Sequence, residues 1–284
     1  PAGLEAARVA GERGHRVTLL EAQSQAGGQV LLAAKAPRRR ELIGIVDWRM
    51  AECRRLGVEF RFDVLADAAD VLAEEPDLVV VATGGLPYTS FLEEGEQLVT
   101  TTWDLLSGQV APETEVLLYD DNGAHAGMTC AEFLVGLGVK LEIVTPERML
   151  APDIGSTNYP IYFRALAKAG TKVTLLERLV GVRRQGNGLV ARFYNEYAKA
   201  ETERPAPQVV VEHGTLPVDE LYFALKPLSR NLGEVDQEAW RRARPQALER
   251  NPEGRFQLFR VGDAVASRNV HAAIYDSLRL LMNL

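Results

Sequence analysis

The sequence predicts an α/β fold made of two three-layer domains, the second inserted into the first. Two observations favour this fold. Apolar strands alternate with amphipathic helices along the chain, and a strand–turn–helix–strand pattern runs from residue 115 to 147, with the later half of the same pattern at residues 1–21. Strands that alternate with helices form parallel sheets, whose carboxyl ends carry ligand-binding turns. The turns that follow the strands are therefore the candidate ligand-binding positions.

The chain opens on a helix instead of a strand. Residues 1–14 have helical spacing with Gly14 as a stop, and the strand 16–20 then leads to an acid, Glu21. A dinucleotide fingerprint reads G-x-G-x-x-G, with an acid about 20 residues further on for the adenosine ribose, and Gly3 precedes Glu21 by 18 residues. Residues 1–3 therefore read as the end of a G-x-G-P-A-G motif, whose first strand and first two glycines we expect upstream.

Three later turns complete a candidate nucleotide site. A glycine pair stands at 27–28. After Asp77, a fully apolar strand at 78–81 runs into a small-residue turn, and another strand ends in Gly-Asp before a predicted helix at 271–281. Each turn alone could be an ordinary turn or helix cap, but together and in this order they predict a flavin- or adenine-nucleotide site. The predicted cofactor-binding residues are Pro1, Ala2, Gly3, Glu21, Gly28, Gln29, Ala82, Thr83, Gly84, Gly262 and Asp263.

The second unit has an unusual turn. Residues 120–127 read Asp-Asp-Asn-Gly-Ala-His-Ala-Gly, with two carboxylates where an NAD-type site has glycines, and the following strand ends in Thr145 and not in an acid. Two charges beside a diphosphate are unfavourable. We expect an NAD-like unit with a degenerate nucleotide site, and His125 reads as a local hydrogen-bonding group.

These motifs carry a family resemblance. The segments P-A-G-L-E-A-A, E-x5-G-G-Q, V-V-V-A-T-G and V-G-D resemble the two-domain, Rossmann-like FAD/NAD(P)-binding fold of pyridine-nucleotide-dependent oxidoreductases. The Asp-Asp turn and the stretches 212–222 and 227–236 resemble the C-terminal region of trimethylamine dehydrogenase-like and dimethylglycine demethylase-like NADH:flavin oxidoreductases, which are related to old yellow enzyme. The resemblance covers essentially all 284 residues and favours the branch that acts on N-methylated amino acids.

The resemblance implies oxidative N-demethylation by a longer protein. Its N-terminal (β/α)8 barrel would carry FMN, a 4Fe-4S cluster and the substrate pocket, while this chain would bind FAD, or ADP in its place. No catalytic or metal-ligating residue is then assigned to this chain. Two alternatives stay open: an NAD(P)H-dependent enoate or 2,4-dienoyl-CoA reductase-type flavoprotein, and a non-catalytic scaffold that binds ADP.

The predicted domains are 1–105 with 213–284, and 113–211. Within them we expect a helix at 41–56, a strand at 58–62, an antiparallel pair at 180–184 and 189–194, and exposed loops at 37–40 and 196–207. The net charge of −7 argues against nucleic-acid partners. The chain shows no membrane-spanning run and no signal peptide, which predicts a cytoplasmic protein. Both cysteines read as inert thiols, and a homo-oligomer is left open.

Overall fold

The structure is a computed structural model that describes residues 1–284. Its helices, in chain order, are α1 (Ala2–Glu12), α2 (Gln29–Ala33), α3 (Gly44–Arg55), α4 (Ala68–Ala73), α5 (Thr102–Ser107), α6 (His125–Gly136), α7 (Tyr159–Lys168), α8 (Glu220–Leu225), α9 (Gln237–Arg241) and α10 (Val270–Leu281). Short 3-10 helices span Pro37–Ile43, Glu96–Leu98, Lys226–Leu228 and Gly262–Ala264. No helix is both long enough and apolar enough to cross a membrane.

The strands are short in the first part of the chain and longer in the second. They are β1 (Thr18–Leu20), β2 (Glu59–Arg61), β3 (Leu78–Val81), β4 (Gly85–Pro87), β5 (Thr100–Thr101), β6 (Glu115–Asp120), β7 (Lys140–Val144), β8 (Lys172–Thr174), β9 (Arg178–Gln185), β10 (Gly188–Asn195), β11 (Ala200–Ala206), β12 (Gln208–Glu212), β13 (Thr215–Pro217) and β14 (Gln257–Arg260).

The chain forms two compact units. Unit 1 contains residues 1–31, 42–86 and 215–284, and unit 2 contains residues 32–41 and 87–214. These limits differ from the predicted domains at three segments, 32–41, 87–105 and 213–214, which belong to unit 2. The reason is local: β5 pairs in parallel with β12, and Arg38 forms an ion pair with Glu132 at 2.9 Å.

Unit 1 is organised around α1. The parallel pairs β1–β2 and β3–β14 form separate two-stranded sheets, and β4 pairs with β13. One side of α1, which includes Leu4 and Ala7, is buried with residues of α3. Another side, which includes Ala6 and Val9, is buried with residues of α10 and β14. Because apolar small residues cover most of its surface, α1 can be enclosed by neighbours on several sides, and it fixes the position of the turns around its first residues.

Unit 2 is a three-layer structure. Its parallel sheet has the order β5-β12-β6-β7-β8. Alternate side chains of β6 face opposite layers: Leu118 packs with α5, α6 and α7, whereas Leu117 and Tyr119 pack with the antiparallel sheet β9–β10–β11. The predicted antiparallel pair is therefore present as β9 and β10.

Two predicted loops are wrong. Residues 200–206 form the edge strand β11, in which Glu201 and Glu203 are exposed and form ion pairs with Arg192 (2.9 Å) and Arg183 (2.8 Å) on neighbouring strands. Charged residues are common on exposed edge strands, and in the sequence alone they have the same composition as a loop. Residues 37–40 belong to a 3-10 helix, and the helix predicted from 41 begins at Gly44.

Gly95 offers a test of the packing in unit 2. Its φ is +79°, and an added Cβ would overlap the carbonyl group of Val182 on β9. We expect Gly95→Ala to lower the free energy of unfolding by more than about 2 kcal/mol, because the backbone must move as well as adopt a strained conformation. Urea unfolding followed by circular dichroism measures this loss.

The control is Gly108→Ala, at a residue that has a similar φ of +82° and no atom within 4 Å of an added Cβ. Its loss should be about 1 kcal/mol, from backbone strain alone. Equal losses in the two variants would show that the overlap with Val182 does not matter.

Candidate functional site

Three turns surround the first turn of α1 in unit 1. An added Cβ on Gly3 would lie 3.2 Å from the Cβ of Ala82, one on Gly262 would lie 2.8 Å from the Cβ of Ala2, and one on Gly28 would lie 3.9 Å from the Cδ of Pro1. No side chain caps this end of the helix. Uncapped N–H groups at a helix N-terminus, together with the helix dipole, favour an anionic group such as phosphate.

The glycine pair at 27–28 adopts backbone conformations that other residues rarely reach. The φ angles are +139° for Gly27 and +50° for Gly28, and a Cβ on Gly27 would lie 2.8 Å from Leu31. Glycine is therefore required at 27 by both strain and space. Gly28 is exposed, so its backbone can come close to a ligand at the end of α1.

A hydrogen bond joins two of the predicted turns. Gln29 Nε2 donates to Asp263 Oδ2 at 2.7 Å. Burial raises the pKa of Asp263, opposed by hydrogen bonds from the backbone N–H of Arg268 and from Gln29. The half-buried carboxylate and amide form a polar pair that can meet the hydroxyl groups of a sugar or ribityl chain.

Glu21 directly follows β1. Its Oε1 accepts a hydrogen bond from the backbone N–H of Gln23 at 3.0 Å, and its Oε2 has no hydrogen-bond partner within the chain. The backbone of Glu21 is held by Arg61 and Val64, so the side chain is fixed at the carboxyl end of the β1–β2 pair. A carboxylate held in this way can accept hydrogen bonds from the two hydroxyl groups of a ribose.

The residues that follow β3, 82–84, contact two other parts of unit 1. Ala82 contacts Gly3, whereas the hydroxyl of Thr83 donates to the carbonyl of Val218, and the carbonyl of Gly84 accepts from the N–H of Val218 at 3.0 Å. The structure therefore brings residues 1–3, 28, 82 and 262 together around the end of α1. The polar groups of Thr83 and Gly84 are directed to Val218.

The corresponding turn of unit 2 is filled by its own side chain. Asp120 Oδ1 accepts hydrogen bonds from the N–H groups of Asn122 and Gly123, both at 3.1 Å, and an added Cβ on Gly127 would overlap the carboxylate. Burial, followed by the charge of Glu212, raises the pKa of Asp120 to about 8. Asp120 thus keeps its proton at neutral pH, and the charge repulsion argued from the sequence does not come from this residue.

Asp121 faces a different partner. Its two carboxylate oxygens lie 2.7 and 2.6 Å from His213 Nδ1, and the hydroxyl of Tyr119 donates to it at 3.0 Å. His213 stacks on Phe91, with the ring centroids 4.0 Å apart. The carboxylate of Asp121 therefore already has hydrogen-bond partners within unit 2.

His125 agrees with its predicted role as a local hydrogen-bonding group. Its Nδ1 lies 2.7 Å from Arg39 Nη1 and 3.2 Å from the hydroxyl of Tyr162. Burial, then the charges of Arg39 and Arg38, lowers the pKa of His125, so the imidazole is neutral and can accept from Arg39.

Sequence reasoning missed the roles of several residues. The sequence predicts an exposed loop at 37–40. In the structure Arg39 of this run donates a hydrogen bond to the hydroxyl of Tyr162 at 2.6 Å. Glu212 is buried and accepts from Thr102, Asn122 and the N–H of Gly214. An acid directly after the apolar run 209–211 was the signal that could have identified it.

The two cysteines are buried and take no part in the site. Burial raises the pKa of Cys53 to about 11 and also raises that of Cys130, so both thiols are protonated at neutral pH. No group of three or more histidine, cysteine or acidic side chains is arranged to hold a metal ion.

Known proteins share sequence and fold with this chain. No protein-family profile matches the chain. The chain is 53% identical over 284 residues to a probable N-methylproline demethylase of Rhizobium meliloti, and 45% identical over 291 residues to an N,N-dimethylglycine/sarcosine dehydrogenase of Chromohalobacter salexigens. It is 41% identical over 286 residues to a multifunctional alkene reductase/demethylase of Caballeronia cordobensis. These alignments cover 99 to 100% of the chain and 42% of each relative.

The chain is thus similar, over almost its whole length, to part of each of these oxidoreductases. The family resemblance read from the sequence is confirmed, and the chain spans less than half the length of its demethylase-like relatives. Histamine dehydrogenase from Rhizobium sp. 4-9 superimposes with a TM-score of 0.82 at 22% identity, over 99% of this chain and 42% of the other. Lactococcus lactis thioredoxin reductase superimposes with a TM-score of 0.69 at 17% identity, over 99% of this chain and 93% of the other. These likenesses confirm the predicted fold class.

Burial of Asp120 makes the stability of the chain depend on pH. Its pKa is about 8 in the folded state, against 3.8 for an unperturbed aspartate, so between these values the folded state binds a proton that the unfolded state has lost. The free energy of unfolding therefore falls as the pH rises from about 4 to 8, by at most about 1.4 kcal/mol per pH unit. Asp120→Asn should reduce this slope, leaving the part that comes from Glu212, whose pKa is also raised by burial, and it should be more stable than the wild type at pH 8 to 9.

Urea unfolding at several pH values measures how the free energy of unfolding changes with pH in the wild type and in Asp120→Asn. Glu113→Gln is the matched control, because Glu113 is exposed and forms no ion pair. If Asp120→Asn and the wild type lose stability equally with rising pH, Asp120 is already ionised in the folded state.

Proposed function

We propose that this chain is the dinucleotide-binding module of a flavin-dependent oxidoreductase that oxidatively demethylates a small N-methylated amine or amino acid. One observation carries the proposal: glycine turns from three separate parts of unit 1 converge on the uncapped N-terminus of α1. The names of the relatives, which include two demethylases and a dimethylglycine/sarcosine dehydrogenase, supply the reaction class.

The residues fit FAD, or ADP in its place. The N–H groups of the first turn of α1 would bind the diphosphate, and Gly28 would allow its close approach. Glu21 would accept from the adenosine ribose, and the Gln29–Asp263 pair would meet ribityl hydroxyls. Ala82, Thr83 and Gly84 would line the strand end beside the flavin, while Ala2 and Gly262 would close the base of the site.

The amine-oxidising centre is proposed to lie outside this chain. Because the chain spans 42% of its demethylase relatives, the remaining length leaves room for an N-terminal (β/α)8 barrel with FMN and a 4Fe-4S cluster. FMN would accept a hydride equivalent from the N-methyl carbon of the substrate. We propose a cytoplasmic location, with the barrel and an adenine dinucleotide as the partners of this chain.

An NAD(P)H-dependent reductase is the second candidate. The relative named as an alkene reductase as well as a demethylase favours it, and so does the protonated state of Asp120, which weakens the electrostatic objection to a nucleotide in unit 2. Rapid bleaching of the bound flavin by NADH in the full-length protein would support this candidate. An absence of bleaching together with oxidation of an N-methylated amino acid would support the demethylase.

The first experiment is to identify the nucleotides released when the full-length protein is denatured. Chromatography and mass measurement of FAD together with FMN would support a two-flavin demethylase. FMN with ADP would make this chain a structural support for chemistry in the barrel, and the absence of any adenine nucleotide would contradict the proposal.

Glu21→Ala should weaken retention of the adenine nucleotide by about 10- to 100-fold, because the hydrogen bonds from the ribose hydroxyls to a carboxylate are lost. The measurement is the amount of nucleotide released per chain and the Kd of ADP for protein freed of nucleotide. Glu59→Ala, on the neighbouring strand β2 with an exposed side chain, is the control and should bind normally. Unchanged retention in Glu21→Ala would argue against the assigned ribose contact.

A further inference from the structure

A buried carboxylate in α1 binds two arginines. The side chain of Glu5 is 3% exposed, and its Oε1 accepts from Arg8 Nη2 at 2.7 Å, while its Oε2 accepts from Arg49 Nε at 2.7 Å. Arg8 belongs to α1 itself and also pairs with Glu12 at 2.8 Å, further along the helix. Arg49 comes from α3. A buried acid so close to a proposed phosphate site would oppose binding of the phosphate unless cations offset its charge.

Arg49 lies beside the first turn of α1. The N–H of Glu5 donates to the carbonyl of Pro1, so Glu5 is one turn from the end of the helix, and helical side chains tilt toward the N-terminus. The guanidinium group is therefore close to the glycine turns that surround this end.

The guanidinium of Arg49 is held in place but keeps a free donor group. Its Nε binds Glu5, its Nη1 donates to the carbonyl of Ile45 at 2.9 Å, and its Nη2 has no partner within the chain. Its side chain is 13% exposed. An arginine that is already fixed by two bonds loses little conformational entropy when it binds an anion, which makes it a suitable phosphate ligand.

We propose that Arg49 binds the diphosphate of the adenine dinucleotide, with Glu5 as the residue that positions its guanidinium group. This proposal rests on the dinucleotide site proposed above. Each of the three guanidinium nitrogens of Arg8 already contacts a carboxylate, Nε and Nη2 that of Glu5 and Nη1 that of Glu12, so Arg8 takes no part in phosphate binding. The alternative is that both arginines have only a structural role, in which their ion pairs stabilise the packing of α1.

The test compares ADP with adenosine in the full-length protein freed of nucleotide. Arg49→Gln should raise the Kd of ADP by about 10- to 100-fold, because a charge-assisted hydrogen bond to phosphate is lost. It should leave the Kd of adenosine unchanged, because adenosine has no phosphate. Arg8→Gln, the matched control, removes the other ion pair of Glu5; it should raise the Kd of ADP far less than Arg49→Gln does and should leave the Kd of adenosine unchanged.

The possible results distinguish a failure of the proposed Arg49 contact from a failure of the proposed dinucleotide site. Equal ADP affinity in Arg49→Gln and the wild type, or equal losses in Arg8→Gln and Arg49→Gln for both ligands, would overturn the role of Arg49 in phosphate binding. Failure of the wild type to bind either ligand would instead overturn the dinucleotide site. If Arg49→Gln does not fold, Arg49→Lys decides, since it keeps a charge for Glu5. Its ADP affinity should fall with adenosine unchanged, and an unaltered ADP affinity would overturn the proposal.

Discussion

The close approach of backbone segments around the first turn of α1 is the constraint on which the candidate site depends. Gly3 must lie against Ala82 and Gly262 against Ala2, because any larger residue would separate the helix from the strand ends. The turns can meet only because α1 is itself covered by small and aliphatic side chains and can be enclosed by α3 and α10. Packing of one helix thus determines where an anion is favoured.

Unit 2 shows the same topology with a different outcome. A parallel sheet again delivers a turn to the N-terminus of a helix, but there the side chain of Asp120 occupies the space beside Gly127, and its lone pairs are used by the backbone of the turn itself. The turn stabilises itself with a neutral carboxyl group. One difference between the two turns is therefore a side chain placed where a glycine would leave room.

Elements with strong periodicity could be predicted from the sequence, and so could the set of turns that meet at α1, because parallel strands bring their carboxyl ends to one edge. Long-range pairings could not. Nothing local in the run 37–40 indicates that Arg39 contacts Tyr162, and the polar edge strand β11 has the composition of a loop. Likewise, the partners of Asp121 and Arg49 come from residues distant in the sequence, and the protonation of Asp120 depends on burial that only the fold creates.

The small sheets of unit 1 have a practical consequence. Within residues 1–284, every strand of β1–β2 and of β3–β14 has only one neighbour. Sheets of two strands are marginal by themselves, and open edges are templates for pairing with another polypeptide. Preparations of this stretch in isolation should therefore be prone to self-association.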